Sequence, residues 1–179
     1  MTKWIVLLRG INVGGKNILP MKALRDLLEG LGYQNIKTYI QSGNCILESE
    51  TGNATDLASN ITVTIEGQFG FRAAVMVIEK DSFAACIQEN PYIVEEDKLN
   101  TVHLFFLAQP ATTPDIDKME KLCAETEAYK LTDKVIYLHA PNGIGRSKFA
   151  TQAERCLGVK VTARNLRSAM KILSLADQG

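Results

Sequence analysis

The run Lys3-Trp4-Ile5-Val6-Leu7-Leu8-Arg9 passes without a break into Gly10-Ile11-Asn12-Val13-Gly14-Gly15-Lys16-Asn17. The first part is continuously apolar, which predicts a strand buried on both faces. The second part gathers glycines, asparagines and two cations, Arg9 and Lys16, into one loop. Beyond it, Met21, Leu24, Leu27, Leu28 and Leu31 recur at helical spacing. Pro20 suits the first helical position and Gly32 the C-terminal cap. A buried strand, a glycine loop and an amphipathic helix open a β-α unit, and the segments that follow decide its kind.

Two strands are expected over 35–41 and 44–48, with Ser42-Gly43 as a tight hairpin. Asn53 is placed to cap a helix over 54–68, where Ala54, Leu57, Ala58, Ile61 and Ile65 share a face. Ile61-Thr62-Val63-Thr64-Ile65 also alternates like a strand. A further strand runs from Arg72 to Ile78. The order β-α-β-β-α-β is the split βαβ pattern of ferredoxin-like folds.

After a short helix over 81–89 that carries Phe83, Cys86 and Ile87, the order recurs. Thr101 to Ala108 is a strand. Thr113 is expected to cap, and Pro114 to open, a helix with Ile116, Met119, Leu122 and Cys123 inside. Tyr129–Thr132 and Val135–Leu138 flank Asp133-Lys134 as a hairpin. Ser147 caps a helix bearing Phe149, Ala153, Cys156 and Leu157, which Gly158 ends. A strand over 160–163 and a helix marked by Leu166, Met170 and Leu173 close the chain. The expected fold is α+β, a tandem duplication of two ferredoxin-like halves packed into one globular unit. Residues 1–79 form the first half, 80–98 a linking helix and loop, and 99–179 the second half. Element order repeats; sequence does not.

The 179 residues carry 20 Lys plus Arg against 20 Asp plus Glu, so no net field draws the chain to nucleic acid or membrane. No apolar run approaches the roughly 18 residues of a membrane span, and the N-terminus leads into a strand without a cleavage signal. Cys45, Cys86, Cys123 and Cys156 are far apart in apolar contexts and form no Cys-x-x-Cys pair. They read as reduced core cysteines of a cytoplasmic protein. No metal and no cofactor is implied.

The expected topology gathers polar residues. In β-α-β-β-α-β the loop after the first strand, the hairpin between the second and third strands, and the start of the fourth strand share one sheet end. That end brings together Arg9, Asn12, Gly14, Gly15, Lys16 and Asn17 with Gln41, Ser42, Asn44 and Arg72. Gly10-x-x-x-x-Gly15-Lys16 matches most of a phosphate-cradling loop. However, Asn17 replaces the hydroxyl that would bind magnesium, and the helix starts near Pro20. A looser nest of backbone N–H groups and a plain glycine turn are the other readings. In the second half, Gly143-Ile144-Gly145-Arg146-Ser147-Lys148 leads into a helix N-terminus. Thr162-Ala163-Arg164-Asn165 is expected to follow the last strand at the same end. Arg146, Ser147, Lys148, Arg164 and Asn165 thus form a second candidate anion patch.

Other chemistries fare worse. His103 and His139 sit in or at the end of apolar strands and read as core or interface residues. Glu95-Glu96-Asp97 reads as a solvated face. Ser42 and Ser147 have no base fixed nearby by sequence. The first half's central strands offer Trp4 alone for base stacking, and both faces of Trp4–Leu8 and of Val102–Leu107 read as apolar and covered, which disfavours an RNA-reading sheet.

Leu8 to Asn17, Tyr39-Ile40-Gln41-Ser42-Gly43-Asn44, Ser147-Lys148-Phe149 and Thr162 to Asn165 together resemble domain-of-unknown-function family 1697 over essentially the whole chain. The resemblance implies a pair of ferredoxin-like units and supplies no activity. Leu166 stands where many members carry Trp. The leading functional expectation is binding of an anionic or phosphorylated ligand, a nucleotide or nucleic-acid backbone, at the glycine-flanked cations. The alternatives are a transferase or hydrolase acting on a phosphorylated small molecule, with Ser42 or Lys16 taking part, and a structural or interaction protein. The sequence leaves open whether there is catalysis, and the oligomeric state.

Overall fold

Strand β1 (Thr2–Arg9) lies inside a four-stranded sheet, flanked by β3 (Asn44–Ser49) on one side and β4 (Ala74–Glu79) on the other. The structure, a computed structural model, describes residues 1–50 and 52–178. With β2 (Gln34–Tyr39) outside β3, the sheet order is β2-β3-β1-β4 and each adjacent pair is antiparallel. Helices α1 (Met21–Gly30) and α2 (Ala54–Phe69) complete the β-α-β-β-α-β unit.

Trp4, Val6 and Leu8 point from β1 into the core of this unit and meet Leu24 and Leu28 of α1 and Ile61 and Ile65 of α2. Ile5 and Leu7 face the other way and are also fully buried, as the unbroken apolar run of β1 predicts. The ambiguous 61–65 stretch is helix: Ile61 and Ile65 are buried while Val63 is 59% exposed. A one-sided apolar stripe at i and i+4 satisfies a helix, whereas a strand would have put Val63 with the two isoleucines. Asn53 caps α2 by accepting from the Asp56 N–H. Gly32 ends α1 as expected: its N–H donates to Glu29 O and that of Tyr33 to Leu28 O, which closes the orphan carbonyls. Pro20 is one position off the expectation. It is the cap residue, with extended ψ, and the helix begins at Met21.

The reverse face of this sheet receives the last turns of the C-terminal helix α6 (Leu166–Asp177). Lys3 Nζ donates to Ala176 O at 2.7 Å, and Lys37 Nζ to Leu175 O at 3.2 Å and to Gln178 O. Lys80 pairs with Asp177 at 2.6 Å. Ammonium groups from the strands therefore satisfy the terminal carbonyls of α6, which its own last turn, lacking basic residues, does not.

The second four-stranded sheet has the order β6-β7-β5-β8 and is again antiparallel throughout. Its strands are β5 (Val102–Leu107), β6 (Ala128–Leu131), β7 (Val135–His139) and β8 (Val161–Asn165). Helices α4 (Ile116–Leu122) and α5 (Lys148–Leu157) cover one face, around Phe105, Ile136, Leu138, Phe149 and Ala153. Both sheets thus show the ferredoxin-like strand order, which agrees with the α+β expectation. Helix α3 (Lys80–Gln88) joins them, and the phenol of Tyr137 donates to the Cys86 carbonyl in its last turn at 2.8 Å. The chain divides into two compact units, Met1–Ala84 together with the residues from Lys171 onward, and Ala85–Met170.

Three local expectations are corrected. Asp115, not Thr113, caps α4: its carboxylate accepts from the Lys118 N–H, and Ile116 rather than Pro114 begins the helix. A four-residue loop, Ile40 to Gly43, replaces the tight Ser42-Gly43 hairpin, because Tyr39 pairs with Asn44. Within the closing helix the inward residues are Leu166, Ala169, Ile172 and Ala176, and Met170 is 45% exposed. Cys45, Cys86 and Cys156 are buried free thiols. Among the described residues no helix is long and apolar enough to cross a membrane.

Candidate functional site

The loop after β1 folds back on itself. Val13 and Lys16 form a bridge, with Lys16 N–H donating to Val13 O at 3.0 Å and Asn12 N–H to Asn17 O at 3.1 Å. Gly14 and Gly15 both take positive φ, 58° and 71°. Two successive left-handed residues between a bonded pair make the primed turn of a short hairpin. The glycines therefore serve a reversal of the chain. The Lys16 N–H is held by Val13, and Asn17 to Pro20 separate Lys16 from the start of α1. This geometry departs from a phosphate loop, in which the lysine opens the helix and the preceding N–H groups face the anion.

Asn12 anchors the hairpin. Its Nδ2 donates to Leu19 O and to Gln41 O, each at 2.9 Å, and its Oδ1 accepts from Leu19 N–H at 2.8 Å. Asn17 Nδ2 donates to Gly10 O at 2.8 Å. On the facing loop the buried Asn44 donates to Tyr39 O and to Ser42 Oγ. These amides, read from sequence as ligand donors, hold the loops in shape. Gly43 sits beneath them at φ 79°, and its carbonyl accepts from Leu8 N–H at 2.8 Å. Ile40 has φ 50° and is half exposed.

The sheet end does collect Arg9, Lys16, Gln41 and Ser42, as the topology requires. Arg9 lies opposite Ala74, on the face of the sheet away from α1 and α2, and Lys16 is exposed on the hairpin. Arg72 precedes β4 and pairs with Glu66 at 2.6 Å, so it adds no uncompensated charge.

In the second unit Ser147 caps α5, its Oγ accepting from Ala150 N–H at 3.0 Å, and is 3% exposed. Arg146 and Lys148 flank it and are exposed. A cleft of about 340 Å³ opens beside them, lined also by Gly145, Thr151 and Gln152. Arg164 and Asn165 do not join this cleft. The segment from Thr162 to Asn165 belongs to β8 itself instead of following it. Arg164 pairs with Leu104, so it shares the sheet face opposite Phe105 and α5, and its Nη1 donates to Ala163 O. Asn165 accepts from Ser168 N–H and caps α6. The alternation of a strand divides what a loop would have gathered.

His103 is 6% exposed on β5, and burial lowers its pKa against a smaller opposing effect of the Asn100 backbone. Among the described residues its Nε2 meets no hydrogen-bond partner. His139 stacks on Tyr92 with ring centroids 5.8 Å apart. Burial raises the Tyr137 phenol far above its usual range and raises the Cys86 thiol too, so neither ionises readily. Glu48 is held below the usual carboxylate range, first by the hydrogen bond from Asn35, then by Lys3. Among the described residues no group of three or more His, Cys, Asp or Glu is placed to hold a metal ion. Glu95, Glu96 and Asp97 are exposed, as a solvated face requires. The surface feature absent from the sequence reading is aliphatic: Val13, Ile18 and Ile40 are 68%, 56% and 50% exposed. The signal was present as three branched apolar residues inside polar, glycine-rich loops.

Residues 1–137 match the family described as "Protein of unknown function (DUF1697)". Among solved structures the chain is similar to one described as "The structure of conserved bacterial protein SP0830 from Streptococcus pneumoniae". The TM-score is 0.70 at 22% identity, covering 98% of this chain and 99% of that one. No curated protein matches the chain. At that identity the likeness bears on fold alone.

Proposed function

We propose that this chain, which belongs to the family described as Protein of unknown function (DUF1697), binds a small phosphate- or carboxylate-bearing molecule at the cleft where α5 begins. The observation that carries the reading is the opening of Arg146, Lys148 and the first turn of a ten-residue helix onto one cleft of about 340 Å³. The first N–H groups of a helix have no intrahelical acceptor, and the helix dipole adds partial positive charge there. Arg146 supplies a fork for two oxygens of an oxyanion and Lys148 a mobile point charge. Ser147 shapes the turn through its cap. The balanced charge of the chain favours a small anion over a long nucleic-acid backbone.

Binding is put ahead of catalysis because the serines offered as nucleophiles are otherwise engaged. The Ser147 hydroxyl accepts from Ala150 and that of Ser42 from Asn44. The buried free thiols are compatible with a reducing cytoplasm.

The test is a thermal-shift screen with inorganic phosphate, pyrophosphate, nucleoside phosphates and citrate. A ligand at about 100 times its Kd adds about 2.7 kcal/mol, which in a chain of this size raises Tm by about 5 °C or more. Arg146→Ala with Lys148→Ala should abolish the shift and leave the unliganded Tm nearly unchanged. If no anion raises Tm, or the double variant shifts as much as the parent, the reading fails.

A further inference from the structure

Each sheet ends in two edge strands, β2 and β4 in the first and β6 and β8 in the second. An edge strand leaves a row of N–H and C=O groups without a ladder partner. Such a row templates pairing with another chain unless something blunts it, such as a bulge, a short length or a charge within the strand. Three of these edges are blunted. The register of β2 with β3 shifts between Gln34 and Lys37, where Asn35 sits at φ 51°, and Lys37 puts a charge within the strand. β6 has only four residues, and the exposed Lys130 is among them. β8 carries Arg164 as the fourth of its five residues.

Among the described residues β4 is the edge without such a device. Ala74-Val75-Met76-Val77-Ile78-Glu79 pairs with β1 in unbroken register. It contains no glycine, proline or lysine, and its one charge stands at the last position. Val75 and Ile78 lie on opposite faces of the strand and both remain partly exposed, so each face of the edge leaves apolar area in water. Helix α2 packs over β4, and α1 over β2. Thr64 and Gln68 of α2 border the groove shared with α1. The flank of α2 turned the other way, above the β4 edge, therefore carries Thr55, Ser59 and Thr62. These side chains are small and uncharged, which leaves room for a body beside the strand.

The strand itself selects the occupant. Two identical strands paired antiparallel about a two-fold axis keep the same sheet face up, so each residue meets one of the same parity. Centred on Met76, the pair sets Val75 against Val77 and Ala74 against Ile78. Centred on Val77, it sets Met76 against Ile78 and Val75 against Glu79. In both arrangements aliphatic side chains meet across the join and no like charges stand opposite each other. The same operation on β2 or β6 brings Lys37 or Lys130 near its own copy. A β4 join uses the unblunted edge of each chain, so assembly closes at two.

We propose that β4 is a dimerisation edge whose partner is a second copy of this chain. Ala74–Glu79 of the two copies pair antiparallel, which joins two four-stranded sheets into one of eight strands with α1 and α2 of both copies on the same face. The edge is separate from the α5 cleft, and neither reading requires the other.

The test is sedimentation equilibrium of the full chain over about 1–100 μM, with hydrogen exchange measured at both ends of that range. The expected result is a concentration-dependent dimer. The β4 amides that point away from β1 should gain about tenfold or more protection as the dimer fills. Ile78→Lys gives β4 the kind of charge its fellow edges carry and should raise the dimer Kd about tenfold or more. Ala74→Lys makes the same change at an exposed position, where folding is unaffected, and should weaken the dimer likewise. A chain that stays monomeric through about 100 μM overturns the proposal. So does a dimer that both lysine variants leave intact, one whose added protection falls outside β4, or growth past two chains.

Discussion

Asn12 is the residue on which both loops of the first unit depend, and replacing it separates two physical terms. Asn12→Ala removes the donor to Leu19 O and Gln41 O and the acceptor for Leu19 N–H. Each such bond contributes about 0.5–1.5 kcal/mol net. The contact to Gln41 is exposed and belongs at the low end, so the three together amount to about 2–3 kcal/mol. Asn12 also has φ 54°, which alanine adopts at a further cost of about 1 kcal/mol. Asn12→Gly loses the bonds but not the backbone compatibility. The expected order is therefore parent, then Asn12→Gly lower by about 2–3 kcal/mol, then Asn12→Ala lower by about 3–4 kcal/mol. Trp4, the single tryptophan, is buried in β1 of the same unit, so its fluorescence in urea follows this transition. Hydrogen exchange should show the Leu19 amide losing protection in both variants. The reasoning is refuted if Asn12→Gly lies within about 0.5 kcal/mol of the parent, the usual range of a neutral surface substitution, or if the Leu19 amide stays protected.

Gly43→Ala places a Cβ 2.6 Å from Leu8 Cβ and 2.8 Å from Ile11 Cδ1 at φ 79°. Since Leu8 Cβ is fixed to the strand, a loss of about 3 kcal/mol or more is expected from Trp4-monitored urea unfolding. Tyr137→Phe strips the phenol from the Cys86 carbonyl and should destabilise by about 1–3 kcal/mol, read by far-UV circular dichroism. His103 has a folded pKa below its unfolded value of about 6.5, so the unfolded chain binds the extra proton first. Stability is then full above about pH 6.5 and falls as pH drops from there toward the folded pKa. His103→Gln, which does not charge, should flatten that part of a stability-against-pH curve, and an unchanged slope would remove His103 as its source.

Much of the architecture was legible because it rests on period and punctuation. Asn53, Gly32 and Ser147 are placed where helices start or stop, and they do so by the hydrogen bonds their types favour. The unbroken apolar run of β1 correctly implied burial on two faces. Errors arose where two residues of similar propensity compete. Asp115 displaced Thr113 as the cap of α4, because a carboxylate near the first N–H groups gains from the dipole as well as the hydrogen bond. The strand expected over 160–163 runs on through Arg164 and Asn165, which the sequence puts beyond its end. Pairing with the apolar β5 makes them strand, and alternation then sends Arg164 to the face away from α5.

The glycine-rich loop shows why site residues are harder to read than elements. Glycine announces a positive φ but not its purpose, and a turn and an anion nest need the same letters. What distinguishes them is where each N–H and each amide hydrogen goes. Here the N–H of Lys16 goes to Val13, the amide of Asn12 to Leu19 and Gln41, that of Asn17 to Gly10 and that of Asn44 to Tyr39 and Ser42. Polar groups that looked available for a ligand are consumed in building a rigid end to the sheet.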